Sequence, residues 1–240
     1  MAAYDTEFLA REEVAEGTMA FDFAKPAGFE FTAGQSMNVT LLDAPETDSK
    51  GNSRTFSIVS APAEDSLTVA TRMRDTAFKR VLKTMPAGGK LRLRGPAGQF
   101  VLDGNGSKPA VFLAGGIGIT PFVSMLRQAA ASGLRRKLYL FYSNRRPEDA
   151  AFLAELQAMQ DRNPDYRFVG TMTDMEKSRQ PWNGERGFIS KNMMARCVDD
   201  LSAPVYYIAG PPAMVEGMQS MLAGADVKAA QIRTDEFFGY

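Results

Sequence analysis

Residues 109–126 read PAVFLAGGIGITPFVSML, a run without a charge that reaches the length of a short membrane span. Gly115, Gly116 and Gly118 sit in its middle and Pro121 follows closely, so it reads instead as strand, glycine loop and helix start. AVFLAGG is continuously apolar, as a strand buried on both faces of a parallel sheet must be. PFVSMLRQAAASG then reads as a helix with Thr120 as N-cap, Pro121 in the first turn and Gly133 past the end. Downstream the pattern repeats. KLYLFYSN, YRFVGTMT and VYYIAGPP read as strands, PEDAAFLAELQAMQ and PAMVEGMQSMLAG as helices. Alternating β and α predicts a doubly wound parallel sheet.

Upstream, the punctuation is that of antiparallel structure. TMAFDFAKP, SMNVTLLD, RTFSIVSAP, SLTVATRMR and KLRLRGPAGQFVLD are short strand-like runs separated by Gly, Pro or Asp. One amphipathic interruption, TAFKRVLKTM, puts Phe78, Val81, Leu82 and Met85 at helical spacing. Five or six strands and one helix predict a small antiparallel β-barrel of Greek-key type. The turn-rich stretch Leu102–Pro109 divides the chain into a barrel domain, 1–105, and a Rossmann-like domain, 106–240.

Composition removes several chemistries. The 240 residues are 45% hydrophobic and 23% charged, as in an ordinary globular protein, and 28 Lys+Arg balance 28 Asp+Glu. No electrostatic footprint for nucleic acid or an anionic membrane results. Histidine is absent, which excludes imidazole-based nucleophilic sites and His metal ligation. The single cysteine, Cys197, forms no internal disulfide and holds no cluster. The start, MAAYDTEFLAREEVAEG, is too charged for a signal peptide. A cytoplasmic protein without a membrane span is expected, its chemistry carried by a bound cofactor.

Three motifs bear on that cofactor. GGIGITP, Gly115–Pro121, aims bare backbone N–H groups and a helix N-terminus at one spot, which suits a diphosphate; a ligand-free tight turn fits equally well. YIAGPPAMV, Tyr207–Val215, is a second strand–turn–helix junction, and if the two strands are neighbours both turns face one crevice. In RTFSIVSAP, Arg54 and Phe56 share one strand face and Ser57 takes the other. Arginine can clamp a phosphate and phenylalanine can stack on a flat ring, although an exposed Arg beside a core Phe would look the same.

In this order, Arg54-Thr55-Phe56-Ser57, GGIGITP, AGPPAM and a terminal acidic-x-aromatic run resemble the ferredoxin–NADP reductase superfamily, closest to single-chain flavin reductases that serve oxygenases. Phe31-x-Ala-Gly-Gln35 matches a phrase such barrels carry. The resemblance implies FAD, less often FMN, reduced by NADH or NADPH through hydride transfer from nicotinamide C4 to flavin N5. It implies that Arg54 holds the flavin phosphate, Phe56 stacks on the isoalloxazine and Ser57 approaches N5, with Thr55 and Arg72 among the cofactor contacts. Gly115, Gly116, Gly118, Thr120 and Pro121 would line the dinucleotide path, and Gly210, Pro211 and Met214 would border the nicotinamide. Asp235 and Phe237 would act beside Ser57 at the reacting centre. Phe237 would cover the flavin face, with Phe238 or Tyr240 as alternative covers or partners for the adenine. The implied partner is a ferredoxin, flavodoxin or oxygenase component; the alternatives are a small acceptor such as a ferric chelate or free flavin, or an electron-transfer subunit of a larger complex.

Four departures stand out. Phe56 replaces the family's usual Tyr. Arg74-Asp75-Thr76-Ala77-Phe78-Lys79 replaces a Gly-x-x-Ser helix start, so Thr76 and Lys79 become phosphate contacts, or a helix cap and a solvated face. Ala209 stands where many relatives have Cys, leaving Cys197 no role, and no cysteine cluster supplies a built-in ferredoxin. For the 2′ end of the dinucleotide, Asn144, Arg145 and Arg146 follow one strand and Thr173-Asp174 another. A carboxylate about 4 Å from a phosphate costs about 4 kcal/mol at an effective dielectric of about 20, which inclines the reading to NADH unless an arginine offsets Asp174.

Overall fold

The computed structural model describes residues 2–104 and 106–238. The first half is a six-stranded antiparallel sheet, β1 (Ala2–Ala15), β2 (Thr18–Ala24), β3 (Ser36–Leu41), β4 (Ser53–Ser57), β5 (Ser66–Arg72) and β6 (Lys90–Ala97), in the order β4-β3-β6-β1-β2-β5. The Val59 N–H donates to Thr68 O at 2.8 Å, tying the end of β4 to β5 and closing the barrel. Alternation in β2 and β3 turns Phe21, Phe23, Met37, Val39 and Leu41 inward. The helix α1 (Ala77–Thr84) adds Phe78, Val81 and Leu82 to that core, and its Thr76 Oγ1 accepts from Lys79 N. Each such phenyl, fully buried, contributes about 1.5–3 kcal/mol.

The barrel strand absent from the sequence reading is β1. Its register shifts at Phe8/Ala10 and again at Glu13/Ala15, so its first half pairs β6 and its second half β2. Only Thr6 and Phe8 are buried, and Leu9 is exposed, so no clean alternation shows.

The second half is a parallel sheet of β7 (Ala110–Gly115), β8 (Leu138–Asn144), β9 (Tyr166–Met172), β10 (Glu185–Arg186), β11 (Val205–Gly210) and β12 (Ile232–Glu236), ordered β10-β9-β8-β7-β11-β12. Every residue of β7 and β11 is buried, as their unbroken apolar character requires. Helices α2 (Thr120–Ala131), α3 (Leu153–Arg162), α4 (Lys191–Ala195) and α5 (Pro212–Ala223) connect them. Two boundaries differ from expectation. A 3-10 turn over Gly116–Ile119 precedes α2, so Thr120 lies inside the helix, its Oγ1 donating to Ile117 O at 3.0 Å, and Ile119 takes the capping position. Phe152 adopts φ 60°, which breaks PEDAAFLAELQAMQ into a short 3-10 turn and a later helix.

The halves are joined by polar contacts, one buried and the others partly or fully exposed. Ser124 Oγ donates to Ser60 O at 2.7 Å. Arg127 pairs with Glu155 at 2.7 Å and Glu64 at 3.5 Å. The Glu16 N–H donates to Glu148 O at 2.8 Å, while the Glu16 carboxylate meets Arg179. Among the described residues no helix is long and apolar enough to cross a membrane, and no cluster of His, Cys, Asp and Glu could hold a metal ion.

Candidate active site: two clefts sharing one wall

Because β7 and β11 are neighbours at the point where strand order reverses, both glycine turns open onto the same crevice. A cleft of about 470 Å³ lies between the barrel and that crevice. Arg54, Thr55, Phe56 and Ser57 of β4 form one wall. Arg72, Thr76 and Lys79 form another, and Thr120, Asp235, Phe237 and Phe238 close it from the parallel sheet. A second cleft of about 520 Å³ is lined by Gly115, Gly116, Asn144, Arg145, Pro211 and Met214. Arg72 and Arg74 stand in both, so the clefts share a cationic wall.

The first cleft has a net positive lining, five cations against the carboxylates of Asp235 and Glu236. Lys50, Arg54, Arg72, Arg74 and Lys79 surround it. Burial, followed by the charges of Arg74, Arg54 and Lys50, pushes the Lys79 ammonium down to about 8, and its Nζ donates to Arg72 O at 2.6 Å. Arg54 is held from behind: Nη1 donates to the carbonyls of Lys50, Gly51 and Ser53 at 2.8, 2.9 and 2.8 Å, and Nη2 to Asp48 at 3.0 Å. Ser57 is buried at the floor. Burial raises the Asp235 carboxyl.

In the second cleft the backbone forms the floor. A Cβ on Gly115 would strike Met214 and come within 3.1 Å of Pro211, whereas Gly116, at φ +53°, opens toward Arg72. Asn144 is 5% exposed beside the Tyr142 hydroxyl, and neither amide atom has a hydrogen-bond partner of good geometry among the described residues. A buried amide on a cleft wall with open hydrogen-bonding capacity fits a polar ligand. Phe188, 81% exposed, stands at the rim.

Several expected contacts are elsewhere. Gly118 lines neither cleft: it packs its backbone on Ala209 and Gly210. Gly210 also lies off both walls, packed on Gly115, with its carbonyl accepting from Phe237 N at 3.0 Å. Pro121 is buried in the first turn of α2, and Thr120 faces the first cleft rather than the second. Asp174 is off the wall and pairs with Lys177 at 2.7 Å; Thr173 lines the cleft in its place. Arg146 is taken by Asp149 at 2.8 Å and Glu16 at 3.5 Å. Tyr240 lies outside the described residues. The sequence reading missed Lys50, Arg74 and Phe188, which sit in polar loops with no periodicity; a lone aromatic directly after Gly187 was the one available signal for Phe188.

Fold and clefts are those of ferredoxin–NADP reductase-type proteins, and residues 112–220 match the oxidoreductase NAD-binding domain. Among particular relatives, it is 29% identical over 214 residues to ferredoxin–NADP reductase B of Sorangium cellulosum, covering 86% of this chain and 84% of that one. It is 28% identical over 209 residues to the glycine betaine monooxygenase reductase subunit of Chromohalobacter salexigens, covering 85% of this chain and 55% of the relative, so it spans little more than half of that protein. The fold matches a ferredoxin–NADP+ reductase from Neisseria gonorrhoeae, solved with FAD and NADP, at a TM-score of 0.82 and 22% identity over 98% of this chain and 99% of the other.

Proposed function

We propose that this chain is a flavoprotein reductase that takes hydride from NADH or NADPH and delivers electrons to a separate acceptor protein, a ferredoxin, flavodoxin or oxygenase component. The observation that carries this reading is the shared wall: a cationic cleft with an aromatic on either side, Phe56 and Phe237, beside a glycine-floored cleft at the strand switch point. The donor set fits FAD, with cations for its phosphates and rings for its isoalloxazine. A bound flavin supplies hydride acceptance and the release of electrons singly or in pairs. The chain's own part is to bind and aim. Arg54, Lys79 and Arg74 neutralise phosphate, Phe56 and Phe237 fix a planar ring, and Ser57 offers a hydroxyl at its edge. Gly115, Gly116 and Asn144 would receive the dinucleotide, and Phe188 at the rim would offer its base an apolar face. Such a site gains rate from proximity rather than from imidazole chemistry. The relatives named as reductase subunits and ferredoxin reductases support a protein acceptor, and the lone cysteine suits a cytoplasmic location. Purified protein supplied with FAD and assayed against ferredoxin, flavodoxin, ferric-chelate and free-flavin acceptors tests this; turnover confined to free flavin would contradict it.

Two expected results follow from the walls. Lys79 is half neutral near pH 8 without ligand, and a bound phosphate raises its pKa, so binding takes up a proton above pH 8. FAD affinity should be flat below pH 8 and fall by up to about tenfold per unit above it, a slope that Lys79→Met removes in fluorescence titrations. Ending the chain after Glu236 deletes Phe237 and its bond to Gly210 while leaving β12 whole. Circular dichroism should be unaltered, and the Michaelis constant for nicotinamide, its turnover, or both should shift; unaltered kinetics would make the ring mere packing.

A further inference from the structure

We propose that Asp48 is a positioning residue that holds the Arg54 guanidinium in the wall of the first cleft, and so sets how tightly a phosphate-bearing cofactor is held; this rests on the flavin reading above. The β3–β4 loop turns back on itself at Asp48–Gly51, where the Gly51 N–H donates to Asp48 O at 2.8 Å and Gly51 takes φ +69°. The turn brings three carbonyls and one carboxylate behind a single side chain. Asp48 Oδ1 accepts from Lys50 N at 2.9 Å and from Arg54 Nη2 at 3.0 Å, and Oδ2 lies 3.3 Å from Nη2. The Lys50 N–H and Arg54 hold its carboxyl below the usual range against a partial burial cost. A second tie keeps the loop on α1, since Arg80 bonds both Glu46, at 2.6 Å, and Asp75.

Location separates positioning from competition. Arg54 and Lys50 line the cleft, whereas Asp48 is not among its lining residues and meets the guanidinium through Nη2. Charge explains why such a brace is needed. Arg54 shares the cleft with Lys50, Arg72, Arg74 and Lys79, like charges that repel one another. An unbraced arginine would relieve that repulsion by swinging out on its flexible stem. Fixing it beforehand removes an ordering cost from cofactor binding. The guanidinium also lies 5.2 Å from the Phe78 ring, so its plane is constrained from the core side as well.

A double-mutant cycle on flavin affinity tests this, with Asp48→Ala, Asp48→Asn, Arg54→Ala and the double variant Asp48→Ala/Arg54→Ala measured by fluorescence quenching of FAD. Asp48→Ala should weaken FAD binding about tenfold and Asp48→Asn by less, and in the Arg54→Ala background removal of Asp48 should have no further effect. Affinity unchanged in Asp48→Ala, or losses that add in full, would overturn the proposal, because a carboxylate that merely stabilises the loop acts whether or not Arg54 is present. Wild-type protein that binds no flavin would defeat the functional reading, and this proposal with it. Wild-type binding with additive losses defeats the proposal alone.

Discussion

Arg54→Ala should lose flavin about 10- to 100-fold more readily than the unaltered chain, the range expected when a charge-assisted bond to phosphate is removed. The side chain is committed to one place by five hydrogen bonds to the loop behind it, so no neighbouring cation inherits its geometry. Lys50, Arg72, Arg74 and Lys79 still supply positive potential, which keeps the loss short of complete. Arg54→Lys should recover little, because a single ammonium cannot serve three carbonyls and a carboxylate while facing a phosphate. Flavin-to-protein ratios after desalting, followed by titration with FAD, read the effect; retention equal to the unaltered chain would remove Arg54 from the site.

Gly118→Ala should be the most damaging small substitution in the parallel half. A methyl there would run into the Ala209 carbonyl and lie 2.7 Å from Gly210 N, and both obstacles are backbone of β11, which cannot rotate aside. Overpacking of this kind costs about 1–3 kcal/mol, and the rigid neighbour places it at the upper end. For a chain of this size that corresponds to a fall in thermal midpoint of about 5–10 °C. Gly217→Ala is the control. Gly217 lies in α5 with nothing within 4 Å of its would-be Cβ, so alanine there should hold or raise the midpoint. Equal melting of the two variants by circular dichroism would contradict the packing argument.

These two glycine cases show what the sequence could and could not disclose. GGIGITP announced a strand–turn–helix junction because its residue types are local, and the junction is there. Which glycine lines a cleft and which packs strand on strand depends on the distance from β7 to β11, a long-range fact, and residue type alone does not separate Gly115 and Gly116 from Gly118 and Gly210. The α2 cap falls one residue before Thr120, because the 3-10 segment preceding the helix has no sequence mark. In the barrel, Arg54, Phe56 and Ser57 were legible through the family resemblance rather than through alternation along β4, which set Ser57 on the opposite face, and all three line one cleft with Phe237. Lys50 and Arg74 were not, since a cation in a polar loop looks like a solvated one until the loop folds back. Asp48 is the extreme case: its significance lies wholly in what stands in front of it. β1 escaped because its bulges reset the inward face twice.

The central claim is that the two clefts work as one redox site. Anaerobic titration of the FAD-supplied protein with NADH and with NADPH tests it most directly, by following the flavin's visible absorption. Bleaching that is stoichiometric with at least one donor, and that is reversed on adding an electron acceptor, is the predicted result. A protein that takes up no flavin, or whose bound flavin is left oxidised by both donors, would contradict the account.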